Sequence, residues 1–307
     1  MFFNDFFINI SLTLAAFLLS FSLFPFSLRF SRTLGAIDLP NSRKIHSRPT
    51  ARAGGVAFFI SFSFFLLFIQ ISLPLKLSLL IGGALIFLIG LFDDAKNLSP
   101  MKKFTGQAAA ASIPIFFGID VYNGKDVFSE FLFGFLSVFW IIFLTNAINL
   151  SDGLDGLAAG SSASFSFTLA LFSLIIFDRD VFWLSLLLAF SILGFIPHNR
   201  HPAKIFMGDC GSLFIGYALS LLSLKWIADS PSLLHAIAVI ILFLIPISDT
   251  VQSFFRRIFS GKSPFSADRG HFHHRLLDNG FTVQTSALAI ITASAFFELV
   301  AVLILSI

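Results

Sequence analysis

Long apolar runs, separated by short polar segments, make up most of the chain. Most runs approach the roughly 20 residues that a helix needs to cross a bilayer, and they lack the alternation typical of a transmembrane barrel. The pattern predicts an all-α polytopic membrane protein, and we treat residues 1–307 as one domain. About ten transmembrane helices are expected, near 6–28, 54–73, 75–92, 104–119, 128–147, 156–177, 181–197, 211–228, 233–255 and 282–306.

The lysines and arginines predict the orientation of these spans. Of the 20 basic residues, 16 fall in the loops that follow the first, third, fifth, seventh and ninth spans. Because cytoplasmic loops carry the excess of positive charge, these loops are expected inside and both termini outside. The first run has no basic residue ahead of it, so we interpret it as a retained span rather than a cleaved signal peptide.

The composition agrees with a membrane protein. Hydrophobic residues make up 56% of the chain, charged residues only 12%, and the mean hydropathy is +0.90. A soluble domain carries about 25% charged residues. Cys210 is the only cysteine, which excludes a disulfide framework and a cysteine metal site. The net charge of +3 alone indicates little. We expect no nucleic-acid partner.

Four polar segments lie on the predicted cytoplasmic face: "FDDAKNLSP", "NAINLSDGLDGLAAG", "HNRHPAKIFMGDCGS" and "DRGHFHHRLLDNG". In the first, Asp93 and Asp94 follow a span directly. Two adjacent carboxylates repel each other unless a cation lies nearby, so the pair indicates a cation site. The alternative is a solvated turn that ends the helix.

The second segment is the Asp-rich loop, residues 146–160. Asp152 and Asp155 are spaced i,i+3, which places them on one face if the segment is helical, and Asn149 extends that face. Gly153 and Gly156 would let a ligand approach the backbone closely. The alternative is that Asp152 caps the N-terminus of the next span, and the two roles are compatible.

The third segment places Asp209 before Gly211 and Ser212 at the start of a span. A carboxylate in this position is suited to Mg²⁺, which prefers hard oxygen ligands. Lys204, upstream in the same segment, could contact a phosphate or serve only the membrane topology.

The fourth segment contains three histidines, His271, His273 and His274, between Arg269 and Arg275. Zinc is one interpretation, but the spacing H-E-x-x-H is absent and neighbouring arginines disfavour a cation. Phosphate or pyrophosphate is the better-matched ligand.

Two acidic residues, Asp249 and Glu298, lie in predicted spans away from the first and last turns. Asp249 would be costly in lipid unless it faces the bundle interior, and Pro246 can kink that span. We expect a structural or site-supporting role for Asp249, and packing for Glu298.

Carboxylates, a divalent cation, histidine and arginine at a membrane boundary indicate phosphoryl-group chemistry between a soluble anionic donor and a lipid. The four segments together resemble the polyprenyl-phosphate N-acetylhexosamine-1-phosphate transferase family. The resemblance runs from "HSRPTARAGG" at 46–55 to the histidine loop at 271–277. It implies transfer of GlcNAc-1-phosphate, or a related N-acetylated sugar-1-phosphate, from a UDP-sugar to undecaprenyl phosphate with release of UMP.

The resemblance assigns roles to individual residues. Asp93 and Asp94 match the family's DD pair, implicated in catalysis and acceptor activation, and Asp209 matches its Mg²⁺-binding aspartate. Three residues match the motif N-x-x-D-G-x-D-G, which lines the nucleotide-sugar pocket: Asn149, Asp152 and Asp155. Asn199 and Phe206 match positions near the uridine, where Phe206 could stack on uracil. The motif H-x-H-H, assigned to donor diphosphate or sugar binding, comprises His271, His273 and His274.

The resemblance also implies Mg²⁺ as cofactor, with Mn²⁺ as a substitute, a multi-pass location in the inner membrane, and leaves a homodimer open. The stretch "HFHHRLL" is similar to the GlcNAc-1-phosphate transferase branch, and the alternative is the phospho-MurNAc-pentapeptide translocase. No lysine lies four residues after Asp93, so Lys96, Lys102 or Lys103 could take the phosphate. A transporter of lipid-linked sugars is disfavoured, because it would place ionisable residues near the bilayer midplane. CDP-alcohol phosphotransferases and intramembrane prenyltransferases are disfavoured because their aspartate motifs are absent.

Overall fold

The computed structural model describes residues 2–40, 48–121, 126–261, 263 and 270–306. Within these ranges the chain is almost entirely helical, as the apolar runs predict. The first half contains α1 (Phe2–Ser22), α2 (Phe24–Leu34), α3 (Gly55–Leu66), α4 (Leu73–Leu77), α5 (Gly83–Lys96), α6 (Pro100–Phe116) and α7 (Val127–Ser151). The second half contains α8 (Leu157–Ile175), α9 (Arg179–Asn199), α10 (Gly208–Asp229), α11 (Leu233–Leu242), α12 (Leu244–Phe259), α13 (Phe272–Asp278) and α14 (Val283–Leu305). A π-helical segment, Ser78–Gly82, joins α4 and α5 into one span.

Every predicted span overlaps a helix, but the number ten is not confirmed. In the described part of the chain, six helices are long and apolar enough to cross a membrane, or eight if each of two bent pairs counts as one span. The predicted span at 54–73 holds a helix of only 12 residues, because α3 ends at Leu66 and the chain turns ahead of Pro74. The predicted span at 104–119 holds α6, which has 17 residues.

Two predicted spans are bent helix pairs. Helices α1 and α2 meet at 48°, and Pro25 lies in the first turn of α2. Helices α11 and α12 meet at 76° around Phe243. Pro246 has no N–H to donate to the carbonyl of Leu242, so the series of helical backbone hydrogen bonds is interrupted where the chain bends. The kink expected from Pro246 is confirmed. At 76° it divides the predicted span into two separate helices.

Helix α10 lies at the centre of the bundle, and 89% of its apolar 18-residue stretch is buried. Its neighbours approach it backbone to backbone at glycines. A methyl group on Gly55 of α3 would overlap with Gly211 Cα, and one on Gly90 of α5 would overlap with the carbonyl oxygen of Asp209. Small residues allow this close helix packing inside membranes. The contacts fix the first turn of α10, where Asp209 lies.

A short hairpin holds the chain ahead of α3 against the chain ahead of α10. Strands β1 (Ile37–Asp38) and β2 (Thr50–Ala51) pair antiparallel, with Ile37 opposite Ala51. The amide of Phe206 donates to Ala51 O over 2.8 Å, and the amide of Gly54 donates to Phe206 O over 2.9 Å. These bonds place the segment that leads into Asp209 beside Arg52.

Candidate active site

A cavity of about 1460 Å³ opens among the helix ends at one side of the bundle. It is bounded by the ends of α7 and α9, the start of α10, the Asp-rich loop and α13. Eight of the eleven residues assigned from sequence line it, namely Asn149, Asp152, Asp155, Asn199, Phe206, Asp209, His273 and His274. Asp94 and His271 lie behind this lining, and Asp93 contacts the lining residue Lys103. The four polar segments of the sequence therefore meet in one place.

The carboxylate wall of this cavity consists of Asp93, Lys103, Asn149 and Asp209. Lys103 Nζ lies 3.0 Å from Asp93 Oδ2 and 2.6 Å from Asp209 Oδ2. It is also 3.4 Å from Asn149 Oδ1. Asn149 Nδ2 donates to Asp209 Oδ1 over 2.9 Å. Oxygen atoms from three helices thus converge on one cationic atom.

The donor chemistry of this wall fits Mg²⁺. In proteins Mg²⁺ usually takes one or two carboxylates and completes its shell with water and substrate phosphate oxygens. Asp209 and Asp93 supply the carboxylates, and Asn149 supplies an amide oxygen beside them. Among the described residues no group of three His, Cys, Asp or Glu side chains forms a cage for a metal without such outside ligands.

Asp94 faces away from the carboxylate wall, although it is adjacent in sequence to Asp93. Its Oδ1 accepts the amide of Asp209 and its Oδ2 accepts the amide of Cys210, each over 2.9 Å. Arg52 Nη2 lies 3.4 Å from Oδ1. A carboxylate bound to the first amides of a helix satisfies its unpaired donors and stabilises its N-terminus. Asp94 therefore holds the turn that carries Asp209.

The Asp-rich loop is a turn, not the helical stripe that its spacing suggested. Asp152 is the C-terminal cap of α7, and the N-terminal cap of α8 is Gly156 with φ of +76°. The expectation that Asp152 caps the following span is therefore wrong. The two glycines interrupt the helix because one of them adopts the left-handed conformation.

Within this turn the two aspartates have different surroundings. Asp155 Oδ2 accepts the amide of Ala203 over 3.0 Å and lies 2.8 Å from His201 Nδ1. Asp152 lines the cavity but is otherwise enclosed by protein. Burial raises the pKa of Asp152 to about 7, and the negative charges of Asp209 and Asp94 act in the same direction.

The three histidines form a stack of which two members reach the cavity. The rings of His271 and His273 are parallel with centroids 5.7 Å apart, and those of His273 and His274 are 4.3 Å apart. Burial lowers the pKa of His273 to about 4, followed by the effects of His274 and His271, so His273 is neutral at pH 7. A methyl group on Gly153 would overlap with His273 Nε2. Gly153 thus makes room for the imidazole against the Asp-rich loop.

Asn199 is buried and ties two loops together. Its Oδ1 accepts the amide of Gly156 over 3.1 Å, and its Nδ2 donates to the carbonyl of Ile205 over 3.0 Å. Phe206 is the residue after Ile205, and it lines the cavity with part of its side chain exposed. Asn199 therefore positions the segment that presents Phe206.

Parts of two predicted motifs lie outside the described residues, and two residues near the site had no role predicted from the sequence. Arg269 and the first two residues of the 46–55 segment lie outside the described residues. Sequence reasoning gave no site role to Arg52, whose Nη1 lies 3.8 Å from Asp38 Oδ1, or to His201. Both belong to motifs quoted above, "ARAGG" and "HNRHPAKIFMGDCGS", so their position within a motif was the available signal.

Comparison with known proteins gives the family. The model of glycosyl transferase family 4 matches residues 76–227. A probable undecaprenyl-phosphate N-acetylglucosaminyl 1-phosphate transferase of Bacillus subtilis is 38% identical over 290 residues, which cover 92% of this chain and 81% of that protein. The chain belongs to the polyprenyl-phosphate N-acetylhexosamine-1-phosphate transferase family.

Two further members show how far the similarity extends. The undecaprenyl-phosphate alpha-N-acetylglucosaminyl 1-phosphate transferase of Escherichia coli K12 is 30% identical over 91% of this chain and 79% of its own length. The decaprenyl-phosphate N-acetylglucosaminephosphotransferase of Mycolicibacterium smegmatis is 34% identical over 83% of this chain and 72% of its own length. The family model covers the carboxylate wall and the Asp-rich loop but ends before the histidines.

Proposed function

We propose that this membrane enzyme transfers GlcNAc-1-phosphate from UDP-GlcNAc to a polyprenyl phosphate, undecaprenyl phosphate in the first instance, and releases UMP. The observation that carries the proposal is the cavity at the helix ends, with oxygen ligands for a cation on one wall and histidines on another. The names of the relatives support the donor sugar and the polyprenyl acceptor. Related N-acetylated sugars remain alternatives for the donor, as does the muramyl-pentapeptide substrate of the translocase branch.

The reaction is a displacement at the sugar-linked phosphorus. A phosphate oxygen of the acceptor forms a bond to that phosphorus, and the bond to the oxygen bridging the two donor phosphates breaks. The electron pair leaves with UMP. Bound Mg²⁺ would neutralise charge on the diphosphate oxygens as it shifts toward the leaving group. Asp209, Asp93 and Asn149 would hold it.

The remaining residues orient the two substrates. Asp93 would be the carboxylate of the pair that acts on the acceptor through Oδ2, since its Oδ1 accepts the amide of Leu98 and both oxygens of Asp94 accept α10 amides. Lys103, which contacts both carboxylates that would hold Mg²⁺, would bind a phosphate oxygen of a substrate. His273 and His274 would donate hydrogen bonds to the donor diphosphate, and Phe206 would stack on uracil.

The proposal places the cavity on the cytoplasmic side of the inner membrane. The bias of lysine and arginine toward the loops at this end supports that orientation. UDP-sugars would then enter from the aqueous side, and the lipid acceptor would approach laterally through the bilayer. The comparisons give no support to the homodimer that the resemblance left open.

The test is UMP release by purified protein in detergent. UDP-GlcNAc, polyprenyl phosphate and Mg²⁺ are expected to give UMP only when all three are present. A panel of UDP-sugars, including the muramyl-pentapeptide donor, identifies the sugar by mass spectrometry of the lipid product. Absence of UMP with every donor would defeat the proposal. Movement of a lipid-linked sugar across vesicles without UMP would indicate a transporter instead.

A further inference from the structure

Asp249 is a buried carboxylate in α12 whose two oxygens both bind the start of the histidine helix. Its Oδ2 lies 2.9 Å from His271 Nδ1, and its Oδ1 accepts the amide of Phe272 over 2.9 Å. Asp249 is 6% exposed and His271 is 5% exposed. A carboxylate so far from water is retained only where partners satisfy it, and both partners here belong to one short segment.

These contacts favour one tautomer of the His271 imidazole. An ionised carboxylate only accepts hydrogen bonds, so His271 Nδ1 must be the donor. Ser253 Oγ lies 3.2 Å from the same nitrogen and itself receives a hydrogen bond from Arg256 Nη2 over 2.9 Å. In the neutral imidazole, Nε2 is then the bare acceptor.

His271 does not line the cavity, but it stacks on a histidine that does. Its ring is parallel to that of His273, and His273 in turn packs against His274. Both of these neighbours line the cavity. Because Phe272 is the first residue of α13, the contact with its amide also sets where this helix begins.

We propose that Asp249 is a positioning residue for the histidine helix. It holds His271 with its proton on Nδ1 and anchors the first turn of α13, so that His273 and His274 meet the ligand in a fixed orientation. That the ligand is the diphosphate of a UDP-sugar rests on the proposed function. The positioning itself follows from the contacts of α12 with α13.

The substitution that tests this is Asp249→Asn, which preserves shape. The amide oxygen of Asn can still accept from Phe272, but its NH₂ group then faces His271 Nδ1. The proton of His271 must move to Nε2. We expect the KM for UDP-GlcNAc to rise about tenfold, the effect of losing one charge-assisted hydrogen bond, with a smaller change in kcat. The variant His271→Asn should raise KM similarly.

The double variant separates positioning from a general structural effect. If Asp249 acts through His271, Asp249→Asn adds little to His271→Asn, whereas independent effects would multiply. The matched control is Glu298→Gln, which alters another buried membrane carboxyl, bound to Ser164 and Thr168 over 2.6 and 2.7 Å. This control should keep the wild-type KM. Multiplying effects, or an unchanged KM in folded Asp249→Asn, would overturn the proposal.

A measurement on the wild-type protein tests the proposal even if Asp249→Asn does not fold. ¹⁵N NMR of histidine-labelled protein reports which ring nitrogen of His271 is protonated, with His271→Asn giving the assignment. A proton on Nδ1 is expected, and a neutral ring protonated only on Nε2 would overturn the proposal. This readout needs no substrate, so it stands or fails independently of UMP release.

Discussion

The cavity has two walls that differ in how they can bind an anionic diphosphate. On the carboxylate wall, the carboxylates of Asp93 and Asp209 lie 3.0 and 2.6 Å from the ammonium group of Lys103. On the histidine wall, His273 is neutral because burial lowers its pKa to about 4. One wall therefore suits a mobile cation, and the other offers directional hydrogen bonds. The positive charge needed by a diphosphate therefore comes mainly from the carboxylate side.

The largest effect is expected from Asp209→Asn, which removes a charged ligand from the carboxylate wall. A metal ligand that stabilises transferring phosphate contributes several kcal/mol, so kcat should fall by at least about a thousandfold. UMP release at saturating Mg²⁺ measures this. Asp229→Asn is the matched control, since Asp229 pairs with Lys225 at the other end of α10 and should keep its activity. Equal activities of the two variants would contradict the role of this wall.

A smaller effect is expected from Asp94→Asn. This substitution affects the carboxylate wall indirectly, through the backbone amides of Asp209 and Cys210. An Asn side chain can accept only one of the two α10 amides, so the turn carrying Asp209 loosens. Partners that orient metal ligands typically contribute 10–100-fold in metal affinity. We expect the Mg²⁺ concentration for half-maximal activity to rise by about that factor, with kcat partly recovered at high Mg²⁺. A loss that no Mg²⁺ concentration relieves would place Asp94 in the chemistry itself.

The histidine wall can be displaced without altering a histidine. In Gly153→Ala the new methyl group overlaps with His273 Nε2, so the imidazole must move. We expect the KM for the UDP-sugar to rise about tenfold, the loss of one charge-assisted hydrogen bond, while the Mg²⁺ requirement stays unchanged. Gly134→Ala is the control, because its methyl group would meet only Ile115 Cγ2 at an ordinary 3.7 Å. A changed Mg²⁺ requirement in Gly153→Ala would show that the walls are not separable.

The smallest effect concerns stability. Lys103→Met removes the ammonium group between Asp93 and Asp209, so the two carboxylates repel each other without Mg²⁺. A ligand that binds only the folded state raises Tm, and the less balanced site should bind Mg²⁺ more tightly. We expect Mg²⁺ to raise Tm by roughly 2–4 °C more than in wild type. Lys102→Met, an exposed neighbour, should match wild type. A smaller Mg²⁺ response in Lys103→Met would contradict this balance.

Local patterns in the sequence predicted the helices and the gathering of the polar segments, but not the geometry inside the site. The apolar runs located the membrane helices but not α13, which lies in a polar segment. The 76° bend at Phe243 depends on packing as well as on Pro246. Adjacent residues on a helix point about 100° apart, so the separation of Asp93 from Asp94 was foreseeable. The i,i+3 argument for Asp152 and Asp155 failed because it assumed a helix across Gly153.

Contacts between distant segments could not be read from spacing. Asp249 lies in α12 and His271 caps α13, 22 residues further along the chain, and Gly153 lies directly against His273. No periodicity links such positions. The resemblance to the family named eight of the residues that line the cavity but gave Asp94 the same role as Asp93, whereas their contacts differ.

The most direct test of the proposed transfer follows each phosphorus of the donor. UDP-GlcNAc labelled with ³²P at the sugar-linked phosphate, and separately at the uridine-linked phosphate, is incubated with the enzyme, polyprenyl phosphate and Mg²⁺, and the lipid is extracted. The account predicts that the sugar-linked label enters the lipid and the uridine-linked label stays in water as UMP. Retention of both labels in the aqueous phase, or entry of the uridine-linked label into the lipid, would contradict it.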